Sequence, residues 1–148
     1  MIYFTQRWTM VVLLSVLLPL VAFVPTSALS AQDRPKVTVS LQIRSGVPNP
    51  KWVITSAKEI TKVRDLMDGL PNAAPVQAPP FGAFHLVPNS AVAGFPQNVL
   101  VFNGVIQVTG ADETTQTFED TKGLGHFLVT QTRKHGIKVP PSLTTSFR

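Results

Sequence analysis

The chain has 148 residues, with 13 lysines and arginines against 8 aspartates and glutamates, and it has no cysteine. The lack of cysteine excludes disulfides and the lipid anchor of a bacterial lipoprotein, so the apolar core alone must hold the folded part together. The net charge of +5 is scattered along the sequence, without the concentrated basic face and stacking aromatics of a nucleic-acid-binding protein. We therefore expect no nucleic-acid partner.

The first 31 residues have the pattern of an export signal. Arg7 precedes an apolar run over residues 11–24, and a segment rich in small residues follows at 26–31. Charge, apolar run and small residues occur in the order of a secretory signal peptide. The sequence thus predicts a signal peptide over residues 1–31 and a secreted or periplasmic protein. The alternative is a membrane anchor retained over residues 10–29, although the apolar run is short for a bilayer span.

Residues 32–148 have the length of a single domain, and the clearest predicted strand lies near their start. Four apolar residues alternate there with four polar ones: Val37, Val39, Leu41 and Ile43 with Thr38, Ser40, Gln42 and Arg44. Period-two alternation indicates a strand with one covered face and one wet face. A sheet with one wet face is typically antiparallel.

The segment 45–52 interrupts this pattern with two prolines around one asparagine. Because proline restricts both itself and the preceding residue, the sequence predicts a stiff loop. The candidate partner-binding residues are Pro48, Asn49, Pro50 and Trp52. A rigid loop loses little entropy on binding, and tryptophan is frequent in binding hot spots. In the competing interpretation Trp52 is buried in the core and the prolines fix the crossover.

This loop carries a resemblance to other proteins. The pattern Ser45-Gly46-x-Pro48-Asn49-Pro50-x-Trp52, followed by a short helix, resembles a motif of small, uncharacterised, often exported proteins. Those proteins often have arginine where this chain has Val47. The motif has no assigned activity, so the resemblance implies nothing about a reaction.

Two helices are predicted. The first follows Ser56 and Glu59, which have the spacing of a capping box, and it stops at Gly69 and Pro71. Its apolar stripe consists of Ile60, Val63, Met67 and Leu70. The second helix is expected from about residue 120 to residue 135, with Gly136 as its C-cap. The tail after it is expected to hold at most one short edge strand.

The region between the helices is predicted to combine loop and strand. Residues 71–96 form a proline-rich loop with a short strand around residues 83–87. Asn103-Gly104 separates two β-rich runs, which predicts a hairpin because both turn positions need positive φ. The alternative is one long strand with a glycine bulge. Residues 110–118 are predicted to be a polar loop.

The resulting β-α-β-β-α order predicts an α+β fold, with two helices packed on one face of a small antiparallel sheet, as in a split β-α-β arrangement. The sequence predicts no catalytic residue, metal ligand or cofactor. His126 and His135 would lie on nearly opposite faces of one helix and could not chelate together. His85 has no carboxylate pair near it in sequence, and no nucleophile motif occurs.

These observations favour a non-catalytic binding module of the cell envelope or extracellular space. Its partner would be a protein that contacts the Pro48–Pro50 loop or the wet face of the sheet. One alternative is a small hydrolase of envelope polymers, and another is a membrane-anchored structural subunit. A pocket holding His85 beside a carboxylate would favour the hydrolase, whereas a flat sheet with an exposed Trp52 would favour the binder.

Overall fold

The computed structural model describes residues 34–43, 46 and 48–147. The predicted signal peptide or anchor within residues 1–31 lies outside the described residues. The elements in chain order are β1 (Val37–Gln42), β2 (Lys51–Ile54), α1 (Ala57–Met67), β3 (Ala83–Pro88), β4 (Asn98–Phe102), β5 (Val105–Thr109), β6 (Thr115–Glu119), α2 (Leu124–Lys134) and α3 (Pro141–Ser146).

The six strands form one antiparallel sheet in the order β2-β1-β3-β4-β5-β6. The predicted α+β class and antiparallel sheet are confirmed, but the sheet is larger than the small one expected. The predicted β-α-β-β-α order, even with the further strand that the predicted Asn103-Gly104 hairpin adds before the second helix, omits β2, β6 and α3. Because β2 and β3 flank β1 and both run antiparallel to it, they are parallel to each other, and α1 joins them.

Strand β2 lies in and just after the segment that the sequence analysis assigned to a loop. Its register pairs Trp52 with Val39 and Ile54 with Val37. Pairing continues to the proline, since the Pro50 carbonyl accepts the Leu41 N–H at 3.0 Å. With only four residues, β2 has too short an alternation to stand out, and pairing with β1 stabilises it.

Strand β6 and helix α3 are the other corrections. β6 occupies residues predicted to be polar loop, and its threonines have the β-branched side chains that suit a strand. α3 occupies the tail, where only an edge strand was expected; Pro141 stands at its first turn, a favoured position for proline. Phe147 directly after α3 is buried against Phe84, with ring centroids 5.1 Å apart.

Helix α1 contributes Ile60 and Val63 to the core, as its predicted apolar stripe requires. The predicted capping box does not form, because the Ser56 side chain makes no cap hydrogen bond. Gly69, with φ of +59°, and Pro71 follow the helix, in agreement with the predicted stop.

Helix α2 begins at Leu124, later than expected. Asp120 lies before it, and its two carboxylate oxygens accept the N–H groups of Leu124 and Gly125, each at 2.7 Å. The predicted C-cap is confirmed: Gly136 has φ of +67°. The Gly136 and Ile137 N–H groups donate to the carbonyls of Arg133 and Thr132, which is the Schellman arrangement.

The hairpin between β4 and β5 settles the alternative left open by the sequence. Asn103 and Gly104 have φ of +47° and +74°, and Phe102 pairs with Val105 across the turn. Both turn residues are therefore in the left-handed region, as a two-residue hairpin requires.

Candidate functional site

The two sides of the sheet differ in what covers them. On the covered face, side chains of all three helices or their flanks meet the inward-facing residues of the strands in one apolar cluster. The cluster includes Val39, Trp52, Leu86, Val99, Leu128 and Phe147. The opposite side, here called the open face, carries the alternate residues of each strand.

Part of the open face is crossed by the proline-rich strap, defined as residues 71–82. It starts beside the edge strand β6, where the Pro71 carbonyl accepts the Glu119 N–H and the Ala73 N–H donates to the Thr117 carbonyl, both at 2.9 Å. The Gln107 side chain, which points to the open face, donates from Nε2 to the Val76 carbonyl. The predicted loop over 71–96 is therefore tied to the sheet along this stretch.

A buried aromatic residue also lies on this side of the sheet. Phe102 is 1% exposed, but alternation from the core residue Val101 directs it to the open face, and it lies outside the main apolar cluster. The strap runs on the same side. Part of the half of the open face formed by β4, β5 and β6 is therefore covered.

The other half, formed by β2, β1 and β3, is more accessible. Val53 on β2 and Val87 on β3 are the two cross-strand partners of Thr38 on β1. Their side chains are 45% and 39% exposed. The next row contains Lys51, Ser40 and His85. We call this area, with Gln42 beside it, the uncovered half of the open face; of its polar β1 residues, Thr38, Ser40 and Gln42 are all partly exposed. Arg44, also predicted on the wet face, lies outside the described residues.

The exposed large apolar side chains in the described part of the chain are Val53, Val76, Phe81 and Val87. Two of them belong to the uncovered half and two to the strap. All four therefore lie on the open face or on the segment that crosses it. Clustered apolar exposure is typical of binding surfaces, whereas single exposed apolar residues are ordinary.

The predicted loop residues are placed at the β1–β2 connection. Pro48 and Asn49 are exposed, and Pro50 is half-buried. The Asn49 Oδ1 accepts the Ile43 N–H at 3.3 Å, so its side chain closes the connection. These residues have the accessibility that a recognition loop needs, and their partner-binding role stays a prediction.

Trp52 is separated from the other three candidates. Its side chain is 5% exposed and lies on the covered face, with its indole ring in edge contact with Phe84 (6.1 Å between ring centroids) and stacked on His135 (5.8 Å). Its Nε1 is buried without a hydrogen-bond partner among the described residues. The core-packing interpretation of Trp52 therefore describes its position, and the side chain is not accessible to a partner.

The described ranges contain no metal-ligating cluster, and the side-chain partners of His85 and His135 there are an amide and an indole ring. His85 bonds to the Oδ1 of Asn98, not to a carboxylate. His126 and His135 are apart, as the helical spacing predicts, and His135 stacks on Trp52. Among residues 34–43, 46 and 48–147, no group of three His, Asp or Glu side chains could hold a metal ion.

The sequence analysis missed Val53, Val76, Phe81 and Val87 as surface residues. Val87 had one usable signal: it ends the strand predicted around residues 83–87, where alternation directs it to the face opposite Leu86. Val53 had none, because β2 was not predicted. Val76 and Phe81 have no such signal, because the strap is not a regular element. Their exposure depends on the path of the strap over the sheet.

Within the described residues, no helix has both the length and the apolarity to cross a bilayer. Compared with models of protein families, with curated proteins and with solved structures, the chain matches none of them.

Proposed function

We propose that this chain is an exported, non-catalytic binding module, and that it binds a partner protein of the cell envelope or extracellular space through the uncovered half of the open face. The observation that carries the proposal is the location of the exposed apolar side chains. Val53, Val87, Val76 and Phe81 are all on this side of the sheet or on its strap.

The chemistry of the surface fits a protein partner. Its centre combines Val53 and Val87 with the hydroxyl groups of Thr38 and Ser40. Protein interfaces have such mixed composition, with apolar contacts that exclude water and polar groups that form hydrogen bonds. Lys51 adds one exposed positive charge, so the partner surface should be mainly apolar and uncharged, with at most a local acidic group opposite Lys51.

The exposed loop residues extend the same surface. Pro48 and Asn49 belong to the turn that joins β1 to β2, at one end of the uncovered half. A turn restricted by Pro48 and Pro50 beside an accessible sheet face would enlarge the contact area without the entropic cost of ordering a flexible loop. In this proposal Pro48, Asn49 and Pro50 lie at the rim of the interface and Trp52 supports the strand from below.

The test compares partner capture by open-face and control variants. The tagged protein, purified from the cells that produce it, is cross-linked to its neighbours and recovered. Val53→Asp/Val87→Asp places two charges on the apolar centre. Thr61→Asp/Thr121→Asp makes the same charge change at two exposed positions elsewhere.

We expect the native and control proteins to retain the same partner and the open-face variant to lose it, by tenfold or more, the order expected from charging the centre of an interface. Circular dichroism checks that all three are folded. If the open-face variant captures the partner as well as the native protein does, the binding site is not on the sheet. The same conclusion follows if the partner is lost only in the loop variant Pro48→Ala/Asn49→Ala.

A further inference from the structure

The helical side of the molecule carries a basic groove that the open-face proposal does not use. Glu59 near the start of α1 lies close to Lys134 at the end of α2, with 4.0 Å between the carboxylate and the ammonium group. At the other end, Lys122 donates to the Asp68 carbonyl at 2.5 Å. The two helices are therefore antiparallel, and the trough between them is called the α1–α2 groove.

Four cations line this groove, which consists of two adjoining depressions that share Lys62 and Phe127. The cations are Lys58, Lys62, Lys122 and Lys134. Among the described residues, Glu59 is the one acidic residue that lines the groove. The lining therefore has more positive than negative charges. Because an 11-residue helix is about 16 Å long, the charges follow one another along a trough of roughly that length.

Contacts within the groove set the positions of three of these lysines. The Lys62 ammonium lies 5.3 Å from the centroid of the Phe127 ring. Lys122 is held at the carbonyls of Asp65 and Asp68, where a cation also suits the C-terminal end of α1. Lys134 is paired with Glu59, and Gln131 donates to the same carboxylate at 3.4 Å. The groove is thus a partly ordered row of ammonium groups.

We propose that the α1–α2 groove binds a linear polyphosphate-type polyanion, a chain of repeating phosphate groups without bases. A row of point charges in an open trough matches a chain with regularly spaced anions, because each ammonium group meets a phosphate without demanding a fixed orientation. The groove also concentrates the field of its cations between two helices.

The same geometry argues against two other anionic surfaces. A bilayer is flat and meets protruding side chains, whereas these lysines line a concave trough. A single-stranded nucleic acid needs free aromatic faces on which its bases stack. The aromatic ring of the groove, Phe127, already has the Lys62 ammonium over it.

The binding experiment uses the whole chain, short-chain inorganic polyphosphate as the probe, and calorimetric titration at low and at physiological salt. Lys58→Gln/Lys62→Gln removes two groove charges. Lys36→Gln/Lys138→Gln removes the same number at positions outside the lining. We expect the groove variant to bind about tenfold more weakly or worse and the control to bind like the native protein, with affinity falling as salt rises.

Glu59→Gln supplies a second, opposite prediction. Removing the acid that lines the groove should strengthen polyphosphate binding several-fold, which a loss of folding could not do. The proposal is overturned if polyphosphate does not bind, or if the control variant loses as much affinity as the groove variant. It is also overturned if vesicles of phosphatidylglycerol, or single-stranded DNA of equal charge, bind more tightly than polyphosphate.

Discussion

The two faces of the sheet have the same backbone and opposite chemistry. On the covered face, Val39, Leu86 and Val99 are fully buried beneath the helices. On the open face, Val53 and Val87 are accessible, and the proline-rich strap crosses this face where helices cover the other. Helices bring long apolar stripes and bury a continuous core. A proline-rich strap brings few donors and few large side chains, so it leaves much of its face available for binding.

Substitutions on the two faces should therefore have different effects. Loss of a covered-face side chain should destabilise the domain, whereas loss of an open-face side chain should affect association. Trp52 and Val53 are neighbours on β2 that point to opposite faces, so they give the sharpest comparison.

Trp52→Ala should have the largest effect. It removes a buried aromatic side chain between Phe84 and His135 and should lower the free energy of unfolding by about 3–5 kcal/mol. Val53→Ala on the other face should change it by about 0.5 kcal/mol or less. Urea unfolding measures both. Comparable losses at the two positions would show that the open face is as important for stability as the covered one.

Gly125→Ala tests how tightly the C-terminal segment closes the covered face. A Cβ at Gly125 would collide with the ring of Phe147, so the substitution should cost about 1–3 kcal/mol of unfolding free energy by overpacking. In a Phe147→Ala background the extra cost should largely vanish, because the colliding atoms are gone. Thermal unfolding of the four proteins completes the cycle. A gain of about 1 kcal/mol from Gly125→Ala, as expected for helix propensity alone, would place Phe147 elsewhere.

Gln107→Ala tests the attachment of the strap to the open face. The change removes the hydrogen bond from Nε2 to the Val76 carbonyl and should cost about 0.5–1.5 kcal/mol. Amide hydrogen exchange should also become faster in residues 71–82. Gln116→Ala, an exposed glutamine on the neighbouring strand β6, is the control and should change neither quantity. Unchanged exchange in the strap would show that this bond does not hold it.

Asp112 gives the smallest expected effect, in the turn between β5 and β6. The hydroxyl of Thr114 donates to its carboxylate at 2.7 Å, and the Thr114 N–H at 3.2 Å, so its pKa is lowered from the ordinary value of 3.8. A lowered folded-state pKa means that this contribution to stability is present above the ordinary pKa and disappears as pH falls through the folded-state value. Because the carboxylate is exposed, the contribution is small.

NMR titration of the Asp112 carboxyl carbon measures this pKa directly. Thr114→Val removes the hydroxyl donor and should move the pKa of Asp112 back toward 3.8. An unchanged pKa in that variant would assign the shift to a different cause.

Several predictions made from the sequence depended on signals that reach only a few residues, and the structure confirms them. The alternation of β1, the left-handed turn at Asn103-Gly104 and the C-cap at Gly136 are local, because side-chain parity and positive φ are properties of single residues and their neighbours. The capping box at Ser56 was wrong, although its signal was also local. Spacing allows such a cap, but the side-chain rotamers decide whether it forms.

By itself, the sequence determined the fold class, the covered side of β1 and the helix that follows Ser56, since these depend on periodicity. Only the tertiary structure decided that four residues after Pro50 form a strand, that Trp52 points into the core and that residues 71–82 cross the open face. Each of these depends on pairing or packing between segments that are distant in sequence. A short stretch of sequence does not contain the interactions that stabilise such contacts. The groove has the same origin: Lys58 and Lys122 are far apart in sequence, and only the packing of α1 against α2 brings them to one surface.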